Sequence, residues 1–304
     1  MPDIPQLSIV IPHLNAPGAL RECLTALAEQ ADDGIAFEVI VVDNGSTETP
    51  DEICAAFPFA RLAHETTLGP GPARSRGATL SRAEILAFID CDCIAQSGWI
   101  AGIVDYFNAH PDTDVIGGDV RILRIDPNAT TAVEAYESVY GYRMQLYIMR
   151  DGYAATCNMG VRRGAFRKVG DFAGITIAED VDWGRRATSL GMITRYVPQI
   201  VVETQARGSF SELTRKWDRH IGHDFAEVSG IGGRLRWGTR ALILAASPLG
   251  EVLRILHSDR VSGLRDRFLA LFCLTRIRLY RCRRMLALLF GRAAQTATAW
   301  RQGS

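Results

Sequence analysis

Short apolar runs alternate with amphipathic segments through the first half of the chain. The runs at 7–12, 37–42 and 85–89 are apolar, include β-branched residues and stop at proline, polar or acidic residues, which predicts buried strands. Between the first two, residues 18–30 carry leucines and a cysteine at helical spacing, and a further strand is expected at 115–120. This alternation predicts an α/β fold with a largely parallel sheet and flanking helices.

The pattern changes near the glycine-rich segment at 230–233. From residue 240 onward, long apolar helical segments are interrupted by arginine. Residues 231–304 carry 14 arginines against three acidic residues, a balance of +11, whereas the first 230 residues carry a balance of −11. Such asymmetry indicates two parts with different surroundings, so we expect a catalytic domain over 1–230 and a basic helical region over 231–304.

The C-terminal arginines are candidates for contact with anionic lipid, because a basic residue near such a surface contributes about 1 kcal/mol. At 100° per residue they do not share one helix face, which argues against a simple surface helix. The alternative is a helical hairpin that covers the catalytic domain or forms a dimer. The arginines concerned are Arg276, Arg278, Arg281, Arg283 and Arg284.

Composition places the chain among globular proteins, with 47% hydrophobic and 22% charged residues. The seven cysteines are scattered without zinc-site spacing, which favours reduced thiols and a cytoplasmic location. The N-terminus lacks the basic segment of a signal peptide. No apolar run is as long as a membrane-spanning helix, which needs about 20 residues. A nucleic-acid partner is not expected.

Ligands of open α/β sheets bind beyond the carboxyl ends of the strands, and three early strands here end in HLNAPG, DNGS and DCDC. In the last segment, Asp90 and Asp92 would project to one side of an extended chain. Carboxylate oxygens suit Mg²⁺ or Mn²⁺, whose coordination substrate phosphates often complete. The alternative is a strand-end turn whose aspartates cap a helix.

Two further residues are candidates for nucleotide contacts. Arg74, in the glycine-proline segment GPGPARSRG, offers a guanidinium fork that matches phosphate. Asp43, in VVDNGS, offers a carboxylate to the N–H of a uracil-type base. An ordinary turn before a helix and an Asx-turn are the respective structural alternatives.

Together, the LSIVIP strand with Asn15 after it, VVDNGS, GPGPARSRG, FIDCDC and AEDVDWGRRATSLG resemble family-2 glycosyltransferases of the GT-A fold. The resemblance covers roughly residues 7–190, and the order and spacing of five motifs carry it. It implies a nucleotide-sugar transferase with a divalent metal cofactor, Mn²⁺ or Mg²⁺.

The resemblance also assigns roles to matching residues. For the donor, it implies that Asp43 binds the nucleobase, Pro12 and Asn15 line the nucleotide, Arg74 approaches the nucleotide or diphosphate, Asp90 lies near the ribose and Asp92 ligates the metal. For the acceptor, it implies that Asp180 is the general base, with Asn158, Glu179 and Asp182 in the acceptor and sugar region.

The implied reaction is inverting transfer of a sugar to a hydroxyl of a glycan or lipid-linked acceptor, in cell-surface polysaccharide synthesis, with a UDP-sugar as the favoured donor. One departure concerns a histidine that completes metal coordination in many relatives. Glu203 and Thr204 occupy its expected place, while His220 and His223 follow in another segment.

Three other functions compete with this one. A sugar nucleotidyltransferase would carry a glycine-rich, lysine-containing first loop, which HLNAPG lacks. A dinucleotide-dependent oxidoreductase would carry G-x-G-x-x-G after its first strand, which is absent. A catalytically impaired sugar-nucleotide-binding or scaffold subunit is argued against by Asp43, Asp92 and Asp180, but the missing histidine keeps that alternative open.

Overall fold

The computed structural model of the protein describes residues 4–31, 34–126, 129–175 and 177–291. It divides into two compact units. The first comprises the described residues up to Arg121 together with Arg143–Thr204, and the second comprises Ile122–Tyr142 together with the described residues from Gln205 onward. The boundary expected at 230/231 lies within the second unit, and the division into a catalytic domain over 1–230 and a basic helical region over 231–304 stays a prediction.

The strands within the described residues are β1 (Leu7–His13), β2 (Phe37–Asp43), β3 (Ala60–His64), β4 (Ile85–Ile89), β5 (Cys93–Ala95), β6 (Val115–Leu123), β7 (Asn158–Arg162) and β8 (Thr194–Gln205). The helices are α1 (Pro17–Ala28), α2 (Asp51–Ala55), α3 (Pro70–Leu80), α4 (Trp99–Ala109), α5 (Ala132–Tyr140), α6 (Met144–Leu146), α7 (Arg163–Val169), α8 (Glu179–Ser189), α9 (Phe210–Ala226), α10 (Gly230–Ala246), α11 (Pro248–Leu256) and α12 (Gly263–Leu289). A π-helical turn covers Tyr147–Asp151.

The eight strands form one sheet in the order β3-β2-β1-β4-β7-β6-β8-β5. Strands β3, β2, β1 and β4 are parallel, while β7 runs antiparallel to β4 and β6, and β5 antiparallel to β8. The predicted α/β fold is confirmed, and the strands predicted at 7–12, 37–42 and 85–89 are β1, β2 and β4 of its parallel half. The strand expected at 115–120 is β6, which lies outside the parallel half, and β3 was not predicted. The sheet as a whole is mixed, because the chain re-enters it antiparallel beyond β4.

The strands of the parallel half are apolar because both of their faces are covered. Nearly every residue of β1, β2 and β4 is buried, which is the pattern of central parallel strands between helices. On one side, an aromatic cluster joins β4 to α7 and α8, with ring centroids 5.3–5.9 Å apart among Phe88, Phe166, Phe172 and Trp183. This packing fixes α8, whose first turn carries the acidic motif.

The second unit is helical, as predicted for the C-terminal region. Its long helix α12 packs against α5, α9, α10 and α11 through two hydrophobic clusters. Although α12 has 27 residues, arginines interrupt its apolar sequence, and no helix in the described part of the chain meets the length and hydropathy that a membrane span requires.

Most of the candidate arginines on α12 have partners inside this unit. The Arg281 guanidinium lies 3.5 Å from the centroid of the Trp217 ring, Arg278 donates to Ser247 Oγ over 3.0 Å, and Arg284 donates to Asp218 over 2.9 Å. Arg276 lies over the ring of Phe210, and Arg283 is exposed. The side chains point in different directions, as the sequence spacing predicts, and four of the five arginines have partners within the unit.

Within the first unit, α3 approaches the segment before α8 too closely for a side chain at Gly71. A Cβ there would lie 2.0 Å from the carbonyl oxygen of Ala173 and 3.3 Å from Cβ of Glu179. Gly18 occupies the same place in α1, after the helix's first proline, yet a Cβ there would meet no atom within 4 Å. Glycine at position 71 therefore permits contact between the two segments.

We expect Gly71→Ala to lower the free energy of unfolding by about 1–3 kcal/mol, because backbone must move to admit the methyl group. Gly18→Ala is the matched control and should be neutral or stabilising by up to about 1 kcal/mol. Urea unfolding of the two variants measures the difference. Equal stability of both would show that α3 and the Ala173 segment are not in close contact.

Candidate functional site

The carboxyl ends of the parallel strands bring four of the predicted residues to one edge of the sheet. Pro12 pairs with Val42, and the next pair in the register joins His13 to Asp43. Asp90 directly follows β4, which is the other neighbour of β1. Asn15 lies two residues beyond β1, exposed at the same edge.

Asp43 is held by a dense set of donors. Its Oδ1 lies 3.1 Å from His13 Nδ1 and 2.5 Å from Ser46 Oγ, and its Oδ2 accepts from the backbone N–H groups of Gly45 and Ser46. Because His13 Nε2 accepts from the N–H of Ala16, Nδ1 carries the ring proton and donates to Asp43. Burial acts to raise the pKa of Asp43, but these donors outweigh it and lower that pKa, so the carboxylate is ionised.

Asn15 ties the loop after β1 to the loop after β2. It adopts a left-handed backbone conformation with φ of 49°, which asparagine tolerates better than most residues. Its Oδ1 accepts from the N–H of Thr47 over 2.8 Å, and its own N–H donates to Ser46 Oγ. The two loops are therefore ordered together, and Pro12 near the end of β1 is partly exposed.

Arg74 joins two carboxylates that are far apart in the sequence. Its Nη2 donates to Asp90 Oδ1 over 2.5 Å, and its Nη1 donates to Glu179 Oε1 over 2.7 Å. Only 4% of its side chain is exposed. Burial acts to lower the pKa of Arg74, but Asp90 and Glu179 outweigh it and raise that pKa, so the guanidinium stays charged. The fork that the sequence predicted for phosphate is thus occupied by acidic side chains of the protein.

Asp92 differs from Asp90 in its surroundings. Its side chain is exposed, and it has a weak contact with Cys93 Sγ at 3.8 Å. Two effects raise the pKa of Asp92. The larger is the loss of water around its carboxylate, and the second is the negative charge of Asp90. A cation near the pair would relieve this repulsion, and hard divalent ions prefer carboxylate oxygens. The chemistry of these residues therefore fits Mg²⁺ or Mn²⁺.

The protein offers few further ligands to such an ion. Within the described ranges, no cluster of three or more His, Cys, Asp or Glu side chains is arranged to hold a metal. Glu203 and Thr204, the positions where the resemblance leads one to expect a histidine, pair with Ile94 and Cys93 on the strand after Asp92. His220 and His223 lie on α9 of the second unit. A metal at Asp92 would take most of its coordination from substrate oxygens and water.

Three acidic residues lie in the first turn of α8, where the helix dipole favours negative charge. Glu179 pairs with Arg74, and Asp182 accepts from Arg186 over 2.9 Å. Asp180 accepts from the N–H of the following residue over 2.8 Å. Burial and then the charge of Glu179 raise the pKa of Asp180, which brings this carboxylate nearer the range of a general base.

Asn158 lies in the interior, 1% exposed. Its Nδ2 donates to the carbonyl oxygens of Asp119 and Ile200, and its Oδ1 accepts from the indole N–H of Trp99. These bonds give Asn158 a structural role, since they connect β7 with β6, β8 and α4. Its predicted place in the acceptor region stays a prediction.

Sequence reasoning missed two parts of this arrangement. The first is His13. Pairing of the first two predicted strands would have indicated it, because that pairing places His13 opposite Asp43. The Arg74–Glu179 bond joins residues 105 positions apart, and no local pattern indicates it. All seven cysteines lie within the described residues and are free.

The fold and these motifs have clear relatives. The family model described as glycosyl transferase family 2 matches residues 8–170. Glycosyltransferase AglE from Haloferax volcanii is 32% identical over 219 residues, which cover 70% of this chain and 71% of that protein.

Two solved structures share the fold at low sequence identity. The mannosyltransferase PcManGT from Pyrobaculum calidifontis, in complex with GDP-Man and Mn²⁺, superposes with a TM-score of 0.51 at 16% identity, covering 96% of this chain and 77% of that one. S. aureus TarS 1–349, in complex with UDP-GlcNAc, gives a TM-score of 0.53 at 14% identity, covering 94% and 92%. The family match, the relative and the GT-A type fold agree, and the chain belongs to glycosyltransferase family 2.

Proposed function

We propose that this glycosyltransferase transfers a sugar, with inversion, from a nucleotide-sugar donor to a hydroxyl of a glycan or lipid-linked acceptor in cell-surface polysaccharide synthesis. The observation that carries the proposal is the Arg74 bridge, which brings Asp90 of the DCDC segment and Glu179 of the acidic motif to one guanidinium. The DCDC segment, which we propose faces the donor, is therefore adjacent to the acidic motif, which we propose carries the base. The nucleotide sugars held by PcManGT and TarS support a donor of this class.

The donor nucleotide would lie along the edge formed by Pro12, Asn15, Asp43 and Asp90. Asp43 and Asn15 hold the two loops there in one conformation, which prepares a surface for the base and the ribose. Arg74 contributes by fixing Asp90. A UDP-sugar is the first donor to test, with GDP- and dTDP-sugars as the alternatives.

Asp92 would hold a divalent metal, Mn²⁺ or Mg²⁺, together with the donor's phosphate oxygens. The Mn²⁺ in the PcManGT complex supports this assignment. When bound, such an ion supplies positive charge that stabilises the departing diphosphate.

Asp180 would act as the general base. It accepts the proton of the acceptor hydroxyl while that oxygen bonds to the anomeric carbon from the face opposite the nucleotide. The bond from the anomeric carbon to the phosphate oxygen breaks, and the nucleoside diphosphate leaves with its electron pair. One displacement of this kind inverts the anomeric configuration.

Asp92→Asn should abolish metal-dependent binding of the donor, because a neutral amide is a poor ligand for a hard cation. Thermal shift with a panel of nucleoside diphosphates and nucleotide sugars, with and without Mn²⁺, measures this effect. Asp105→Asn, an exposed aspartate on α4, is the control and should keep the wild-type shift. If no nucleotide stabilised the wild-type protein, the donor proposal would fail.

Asp180→Asn should keep donor binding but slow transfer by about 10²–10⁴-fold, the usual contribution of a general base. In the wild-type protein the rate should fall as pH drops through the raised pKa of Asp180, above the ordinary aspartate value of 3.8, because protonation removes the base. This acid limb should be absent from the residual rate of the variant. Wild-type turnover by Asp180→Asn would rule out the assignment, and Asp171→Asn serves as the control.

We also propose peripheral attachment to the cytoplasmic face of a membrane through the second unit. Leu249, Leu253 and Leu256 on α11 are exposed at spacings of four and three residues, which places them on one helix face. On α12, Leu264 and Phe268 are exposed in the same way. Exposed arginines lie on the same helices, Arg254 on α11 and Arg265 and Arg276 on α12. Apolar side chains next to cations suit an anionic lipid surface.

The protein should therefore cosediment with vesicles that contain phosphatidylglycerol, and less with vesicles of phosphatidylcholine alone. The pair of substitutions Leu253→Ser and Phe268→Ser should weaken this binding at least about tenfold, because two apolar side chains lose their burial. Leu190→Ser, an exposed leucine of the first unit, should leave binding unchanged. Equal binding to both vesicle types, or no effect of the paired substitution, would contradict the membrane proposal.

A further inference from the structure

Two tyrosines stack in parallel in the first unit, and we call them the tyrosine platform. The rings of Tyr147 and Tyr153 have centroids 5.1 Å apart and planes inclined by 13°. The π-helical turn Tyr147–Asp151 and the left-handed Gly152 reverse the chain between them, and the N–H of Tyr153 donates to the carbonyl oxygen of Tyr147. The backbone thus fixes the relative position of the two rings.

The platform lies along the helix that carries Asp180. A Cβ on Gly184 would lie 2.3 Å from Cβ of Tyr153, and Thr188 Oγ1 donates to the carbonyl oxygen of Gly152 over 2.9 Å. Asp180, Gly184 and Thr188 are spaced by four residues, so they share one side of α8. Asp180 is therefore one helical turn from the contact between Tyr153 and α8.

The electrostatics agree with this placement. Burial is the main cause that raises the pKa of Tyr147 and Tyr153, and the Asp180 carboxylate contributes to both shifts. Both phenols are neutral at physiological pH and can donate hydrogen bonds. The charges of the intervening turn pair with each other, since Arg150 donates two hydrogen bonds to Asp151.

The tyrosine platform differs from a second tyrosine stack of the protein, which packs a core. In the second unit, Tyr136 and Tyr140 also stack, but Tyr136 is buried in a hydrophobic cluster and Tyr140 donates to Glu251. Both residues of the platform are partly exposed. Aromatic surface next to the proposed base is therefore accessible to a ligand.

We propose that the tyrosine platform binds a pyranose ring of the acceptor and presents one of its hydroxyls to Asp180. The apolar C–H face of a sugar ring complements an aromatic face, and the phenol groups complement its hydroxyls. The aromatic faces favour a carbohydrate ring as the part of the acceptor next to the base. The inference rests on the proposed role of Asp180, and it makes the acceptor's terminal unit a sugar.

Saturation-transfer NMR on the full chain, with UDP or GDP and Mn²⁺ present, tests the proposal. The probes are methyl glucoside, methyl galactoside, methyl mannoside and methyl N-acetylglucosaminide, each titrated to obtain a dissociation constant. We expect at least one to bind, with transfer to its ring C–H protons. Tyr153→Leu and Tyr147→Leu should each raise its dissociation constant about fivefold or more, whereas Tyr153→Phe should keep most of the affinity.

Tyr106→Leu is the matched control, because Tyr106 is a partly exposed tyrosine of the same unit that stacks on His110. It should leave pyranoside binding unchanged. Nucleotide binding, followed in the same samples by thermal shift, should be the same in all variants. If a leucine variant does not fold, wild-type protein with ¹³C-labelled tyrosine replaces it, and addition of the pyranoside should then shift the resonance that Tyr153→Phe removes.

The outcomes separate the two proposals. Nucleotide binding without binding of any pyranoside, or with equal affinity in Tyr153→Leu and wild type, would overturn the platform and leave the donor site intact. Absence of nucleotide binding by the wild-type protein would instead count against the proposed function itself.

Discussion

The interaction on which the site depends is the buried fork of Arg74 between Asp90 and Glu179. Each carboxylate belongs to a different motif, one at the end of β4 and one in the first turn of α8. Without the guanidinium, two negative groups would face each other in a partly buried place, and electrostatic repulsion would push them apart. Because Gly71 has no side chain, α3 can approach the segment before α8 as closely as this bridge requires. Asp180 directly follows Glu179, so the bridge also positions Asp180.

Three strands of the parallel half, β1, β2 and β4, were predictable because their signal is local, whereas the half-buried edge strand β3 has no continuous apolar run. Continuous apolar runs ending in polar loops specify buried strands, and from the sequence alone they place Pro12, Asp43 and Asp90 at one edge of the sheet. The antiparallel return of β7 was not predictable, because pairing between Ile89 and Asn158 depends on contacts across 69 residues. Asn158 shows the same limit, since a motif position alone does not tell a ligand from an interior amide.

The arginines of the second unit illustrate how composition can mislead. A charge balance of +11 over residues 231–304 suggests one basic surface. The structure instead directs Arg278, Arg281 and Arg284 toward partners within the helical unit, so their charges serve packing. The exposed leucines of α11 are the feature that composition did not indicate.

A double-mutant cycle between Arg74 and Glu179 tests the bridge most directly. Arg74→Met, Glu179→Gln and the combined variant would be unfolded in urea beside the wild-type protein, and the four free energies of unfolding give the coupling between the side chains. The bridge predicts a coupling of about 1–3 kcal/mol, so that the second substitution costs much less once the first is present. Additive effects, within about 0.5 kcal/mol, would show that Arg74 does not join the DCDC segment to the acidic motif.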